Sequence, residues 1–222
     1  MSGSRPVKVY VIEDEELLLE SITGALQSGL SEWFGEEDCV VEGYKRLADY
    51  YCDHPVPDDG EVRIVVLDLF LDGNENGFAA LRDPVFRGLA DYIIGVSRMS
   101  ERPQLRYMLK KELLDAFIAK KSGTVSEIVK AVVTLGNGGD YRNEVMVEAL
   151  ESEEEDPVAR LSEKQIEILV DLDHGKTVKQ IAIDMGIGDK AVYRHRDRAY
   201  ERIGTTRWSE IRRLLTIHGY IA

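Results

Sequence analysis

A chain of 222 residues with 44% apolar content has room for one large domain or two modest ones, each with a real core. No apolar run approaches the ~18 residues a membrane span needs, and no basic segment followed by an apolar block opens the chain. Neither a membrane partner nor a secretory signal is therefore expected. The formal net charge of −13 is unevenly spread: from Pro157 onward 12 Lys and Arg face 9 Asp and Glu, a net of +3, whereas the first 156 residues net −16. An acidic front and a basic back imply two domains, the second suited to nucleic acid. Cys39 and Cys52 form no metal or redox spacing, which fits a reducing cytoplasm.

In chain order, Val7 to Ile12 is a β-branched run that stops at Glu13-Asp14. A helical pattern follows, with Leu17, Leu18, Ile22, Ala25 and Leu26 at spacings of three and four. Cys39 to Val41 reads as a second strand and Tyr44 to Tyr51 as a short helix. Val62 to Leu67 is almost continuously apolar, as a strand buried on both faces should be, and it ends at Asp68. The turn formers Asp72 to Gly77 come next, then one helix around Phe78 to Leu89. A fourth strand over Tyr92 to Val96 ends at Ser97, a helix covers Gln104 to Leu114, and a fifth strand over Ala116 to Ala119 ends at Lys120. Val125 to Leu135 closes the series as a helix. Five alternations of strand and helix predict a parallel, doubly wound sheet.

Glycines 136, 138 and 139 end that unit, and Glu144 to Asp156, increasingly acidic, reads as a linker with a fraying helix. Beyond Ala159 every pattern is helical: Ser162 to Leu172, Val178 to Met185, Asp189 to Ile203 and Arg207 to His218. The expected division is residues 1–137, a linker at 138–158, and a second domain at 159–222.

In open α/β sheets ligands sit beyond the carboxyl ends of the strands. The groups expected there are Glu13, Asp14, Asp68, Ser97 and Lys120. Singly each has a plain structural reading: a helix N-terminal acidic pair, a turn cap, a solvated lysine. Together they make a carboxylate cluster able to hold magnesium through oxygen ligands, beside a cation and a hydroxyl suited to a transferring phosphoryl group.

The stretches VIED, VVLDLFLDGNENGFAAL, IIGVS and AFIAKKSG, in this order, resemble the receiver domains of two-component response regulators over about the first 135 residues. The resemblance implies an α/β flavodoxin-like (CheY-like) doubly wound fold and Asp68 as phosphoacceptor. It also implies Mg2+ held by Glu13, Asp14, Asp68 and the Phe70 backbone carbonyl. Ser97 and Lys120 would bind the phosphoryl group, and Phe117 would be the aromatic switch. The sequence departs from the family in Asp72, where proline is usual, in a loop that looks one residue longer, in Glu13 for the commoner aspartate, and in Phe117, which lacks a tyrosine hydroxyl.

The second half predicts a helix-turn-helix, with Gly186-Ile187-Gly188 as the turn. Lys190, Tyr193, Arg194, Asp197 and Arg198 should share an outward face, with His195 turned inward. Residues 190–213 carry eight basic and three acidic side chains, and such a face suits phosphate contacts. The stretches LSEKQIEIL, GKTVKQIAIDMGIGDKAVYRHRDRAYERIG and TTRWSEI resemble the DNA-binding domains of NarL/LuxR-type regulators, which implies an all-α four-helix domain with its third helix in the major groove. The DNA-binding set is Lys179, Lys190, Tyr193, Arg194, Asp197 and Arg198.

The reading is a cytoplasmic DNA-binding transcriptional response regulator, not an enzyme beyond its own phosphoryl transfer. Its expected partners are a sensor histidine kinase, double-stranded DNA and, on activation, a second copy of itself. One alternative is a receiver-like module governed by a ligand or protein without phosphorylation. Another, a haloacid-dehalogenase-like phosphohydrolase, wants a second acid where Phe70 stands.

Overall fold

A computed structural model describes residues 5–35, 39–53, 60–71, 75–98, 102–121, 123–152 and 156–221. Asp72 and the acidic residues 153–155 lie outside the described residues. The chain divides into two compact units, Met1–Ser152 and Glu153–Ala222.

In the first unit five parallel strands, β1 (Val7–Ile12), β2 (Cys39–Tyr44), β3 (Val62–Asp68), β4 (Tyr92–Ser97) and β5 (Ala116–Ala119), form one sheet in the order β2-β1-β3-β4-β5. This is the flavodoxin-like order, and it makes β3 central. Its run of Ile64, Val65, Val66 and Leu67 is buried throughout, as a strand covered on both faces requires. Arg63 is buried in the same strand because Glu61 accepts from its Nε at 2.6 Å. A buried charge needs such a partner.

Register lines up the strand ends. Ile12 pairs with Leu67, Asp68 with Val96, and Ser97 with Ala119. Glu13, Asp68, Ser97 and Lys120 therefore reach the same carboxyl edge of the sheet.

Helix α1 (Glu16–Phe34) buries Leu19, Ile22, Leu26, Leu30 and Phe34, a stripe of threes and fours that packs against α6 (Thr124–Gly136) and β2. The short helix α2 (Leu47–Asp53) buries Tyr50, whose ring centroid lies 5.4 Å from Tyr10 and 5.9 Å from Phe86. Each such aromatic pair contributes about 0.5–1.5 kcal/mol beyond its buried area.

The single helix expected over Phe78 to Leu89 is two. Asn76 caps α3 (Gly77–Arg82) by accepting from Phe78 N at 2.9 Å, and Asp83 then caps α4 (Pro84–Gly88). Proline disfavours helical backbone in the residue before it and suits the first helical position, so Asp83-Pro84 ends one helix and starts the next.

The stretch expected as a linker also differs. Asn143 accepts from Met146 N at 3.0 Å and starts α7 (Glu144–Glu151). Met146 and Ala149 are fully buried as α7 packs on α5 (Arg102–Lys110) and β5. The first unit therefore runs past residue 137 to Ser152.

The second unit opens with a 3-10 turn, Val158–Arg160, followed by α8 (Glu163–Asp173), α9 (Val178–Asp184), α10 (Asp189–Ile203) and α11 (Trp208–Ile217). Ser162 with Gln165, and Thr177 with Gln180, form reciprocal capping boxes at the starts of α8 and α9. Gly186, at φ 63°, turns the chain between α9 and α10; a side chain there would strain the left-handed backbone. Val192 packs with Ile168, Ile181 and Ala182, while Ala199 joins Leu169, Ile211 and Leu215. One face of α10 thus closes two small cores.

Candidate functional site

At the carboxyl edge of the first unit Glu13, Asp14, Glu15, Asp68, Phe70, Arg98 and Lys120 line a cavity of about 510 Å³. Carboxylate oxygens of Glu13, Asp14 and Asp68 lie within 4.8 Å of one another. Lys120 reaches across with Nζ 2.7 Å from Asp68 Oδ2 and 2.8 Å from Glu13 Oε2. The backbone N of Phe70 donates to Asp68 Oδ1 at 3.0 Å, so the carboxylate is held from two sides.

Burial pushes the Glu13 carboxyl up to about 6, Lys120 opposes this through its hydrogen bond, and the charge of Asp68 adds to it. Burial lowers Lys120, but bonds to Asp68 and Glu13 outweigh it and raise the ammonium above its ordinary value. The pocket is one of mutually compensating charges.

Ser97 is fully buried at the end of β4, where its carbonyl accepts from Lys120 N at 2.7 Å. The pocket lining instead includes exposed Arg98 and Glu15, which face each other at 4.0 Å. Sequence reasoning passed over both. Arg98 directly follows the strand-end serine, and that adjacency was the available signal. Phe117 is wholly buried on β5, away from the pocket lining. Phe70 is 44% exposed, its ring edge-on to Phe78 at 5.0 Å.

In the second unit Lys179, Lys190, Tyr193, Arg194, Asp197 and Arg198 are all exposed, and Val192 and Ala199 take the buried side of α10. His195 is half-buried. Asp197 is already engaged: Arg196 donates to its Oδ1 from Nε at 3.0 Å and Nη2 at 2.7 Å. The same guanidinium lies 5.0 Å from the ring centre of Tyr193 and 5.6 Å from that of Tyr200. Arg196, absent from the expected set, ties Asp197 to the rings of Tyr193 and Tyr200.

Residues 159–215 match the family described as bacterial regulatory proteins, luxR family. The second unit is a luxR-family domain. The DNA-binding transcriptional activator DevR/DosR of Mycobacterium tuberculosis is 27% identical over 221 residues, covering 90% of each chain. A probable transcriptional regulatory protein NarL of the same organism is 27% identical over 213 residues, covering 93% of each. RcsB from Salmonella enterica serovar Typhimurium, solved on a promoter with the phosphomimetic BeF3−, has a TM-score of 0.55 at 20% identity over 96% of this chain and 98% of that one. This last likeness is one of fold.

The luxR-family domain has one more internal tie. His218 Nε2 lies 2.7 Å from Asp156 Oδ2, with both side chains buried, and Asp156 Oδ1 also accepts from Val158 N at 2.9 Å. The contact is a close approach of two buried polar side chains. It fastens the domain's first residues to the end of its last helix. Among the described residues of the chain no helix is long and apolar enough to cross a membrane.

Proposed function

We propose that the chain is a DNA-binding transcriptional response regulator of a two-component system, acting in the cytoplasm and controlled by phosphorylation of Asp68. The observation that carries this is the Asp68 carboxylate at the end of the central strand. It lies 2.7 Å from Lys120 Nζ and within ligand range of Glu13 and Asp14.

In the transfer an Asp68 oxygen attacks the phosphorus, an oxygen–phosphorus bond forms, and the bond from phosphorus to the imidazole nitrogen of a partner histidine kinase breaks. The transition state has little covalent demand beyond positioning and neutralised charge. Lys120 supplies an ammonium at that oxygen, and the hydroxyl of Ser97 stands at the neighbouring strand end. Three converging carboxylates fit a magnesium ion, which prefers oxygen ligands. Glu13, Asp14, Asp68 and the Phe70 carbonyl would hold it, and it would supply positive charge against the phosphoryl oxygens. Phe117, on the strand that leads into Lys120, is the residue through which the change would spread.

The luxR-family domain supplies the output. Exposed Tyr193, Arg194 and Asp197 lie toward the N-terminal half of α10, the part that meets base edges in helix-turn-helix docking. Lys179, Lys190 and Arg198 suit phosphates. A dimer is the expected active form, because such domains read half-sites related by two-fold symmetry.

The test is incubation with a small-molecule phosphodonor and magnesium, followed by intact mass. One phosphoryl group should add to the natural chain, none to Asp68→Asn, and addition should be strongly slowed in Asp14→Ala. Equal uptake by Asp68→Asn would overturn the acceptor assignment. No uptake by the natural chain would leave a pocket governed by a ligand or protein instead.

A further inference from the structure

We infer that α7 is a releasable strap, which closes the open side of β5 while Asp68 is unmodified and leaves it when Asp68 carries a phosphoryl group. The inference rests on the phosphoacceptor reading above.

β5 is the last strand of the sheet, so one of its sides has no neighbouring strand. Backbone groups there still need partners, and the stretch leading into α7 supplies them. Asn143 Nδ2 donates to Phe117 O at 2.8 Å, and Phe117 N donates to Met146 Sδ at 3.4 Å. Arg142 Nη1 donates to Asp115 O at 3.4 Å. Asn143 also caps α7 through its other side-chain atom, so one residue both starts the helix and pins it to the strand.

The attachment is built to come loose. An eight-residue helix is marginal without its packing, and a thioether is a weak acceptor for an amide. The outer tie, Arg102 to Glu148 at 2.7 Å, is exposed on both sides, and such pairs contribute little.

The attachment point also lies next to the chemistry. Phe117 is three residues before Lys120, whose Nζ meets Asp68 and whose N meets the carbonyl of Ser97. A phosphoryl group on Asp68 would draw the Lys120 ammonium off the carboxylate and onto the phosphoryl oxygens, and β5, which ends beside Lys120, is only four residues long. Strain at its end reaches Phe117 directly. By reciprocity, whatever loosens α7 must favour the phosphorylated state by the same factor.

Hydrogen exchange on the full chain, with and without beryllofluoride and magnesium, tests this. Residues 68–70 report loading of the pocket; residues 141–151 and Phe117 report the strap. Loading should protect the first segment and deprotect the second. Asn143→Asp retains a capping acceptor but removes the donor to Phe117 O. It should raise exchange over 141–151 and tighten beryllofluoride binding together, each by roughly two- to tenfold. Glu148→Arg, which breaks only the exposed tie, should act in the same direction and less. Protection at 68–70 without release of 141–151 would make α7 a fixed part of the unit, leaving the phosphoacceptor reading intact. Raised exchange in Asn143→Asp with unchanged beryllofluoride affinity would do the same. If neither segment responds to beryllofluoride, the phosphoacceptor reading fails and the strap falls with it.

Discussion

Lys120, directly after β5, holds its ammonium 2.7 Å from a carboxylate oxygen of Asp68, at the end of β3 two strands away. Glu13 shares that ammonium at 2.8 Å. Without it, two buried carboxylates would face each other.

Lys120→Met should therefore be less stable, and more so at neutral than at acidic pH. Glu13 already titrates near 6 in the folded chain against an ordinary 4.5, so its ionisation costs stability at pH 7, and that cost fades as pH falls through 6 toward 4.5. Removing Lys120 pushes Glu13 further up. The expected loss at pH 7 is about 1–3 kcal/mol, below the ~3–5 of a fully buried pair because the pocket is open to water. Urea unfolding at pH 7 and pH 5 should show the gap between variant and natural chain shrinking at the lower pH. An equal gap at both would remove Glu13 from the explanation.

Gly77→Ala should disturb the phosphoacceptor from behind. A Cβ at Gly77 would overlap the carbonyl oxygen of Asp68 and lie 2.7 Å from Leu69 Cα. Both are backbone atoms, so Asp68 itself has to shift, at about 1–3 kcal/mol. Phosphate uptake should slow in step. Gly88→Ala is the control, since a Cβ there meets nothing within 4 Å. Equal uptake by the two variants would show that Asp68 tolerates the displacement.

On the DNA-binding face, Arg194→Ala should cost about 1–3 kcal/mol on the preferred site and relax specificity at one base pair. Lys190→Ala and Arg198→Ala should weaken every sequence about equally and flatten the salt dependence by about one unit. Arg196→Ala should alter preference without a large change in that slope, because its guanidinium engages Asp197 and two tyrosine rings. Binding titrations on specific and random duplexes at several salt concentrations separate these cases. Equal losses on both duplexes for Arg194→Ala would class it with the phosphate contacts.

His218→Ala should destabilise the luxR-family domain by about 1–3 kcal/mol, because Asp156 Oδ2 loses its buried partner while Oδ1 keeps only Val158 N. The chain has two tryptophans, one in each unit. Unfolding followed by Trp208 fluorescence in a Trp33→Phe background therefore isolates the domain. A midpoint unchanged by His218→Ala would show that the contact contributes nothing.

Where local signals coincide, the sequence was a good guide. Ala116–Ala119 and Asp189–Ile203 have the expected bounds, because an apolar run ending at Lys120 and a helical stripe ending at Gly204 each carry their own punctuation. The carboxylates and Lys120 were legible as successive strand ends, which parallel register then brings together. What escaped notice depends on particular side-chain pairings, which apolar periodicity and composition do not announce. Arg63 is buried because Glu61 accepts its charge. Arg196 matters because two tyrosines lie under it. Helix α7 stood in an acidic stretch whose composition suggested a linker, although Asn143 as a cap and Met146 and Ala149 three apart were its visible signature.

Helix α7 also bears on self-association. A strand with one bare side is a template for strands of other molecules, and native folds commonly blunt it with charge or cover it. Here Arg142, Asn143 and Met146 occupy that side of β5. A fragment cut at residue 137, where glycines invite a boundary, would expose Phe117's amide and carbonyl to any neighbouring chain. Cutting after Ser152 would keep the side covered. The shorter fragment should aggregate at concentrations the longer one tolerates, despite an acidic surface that keeps like molecules apart.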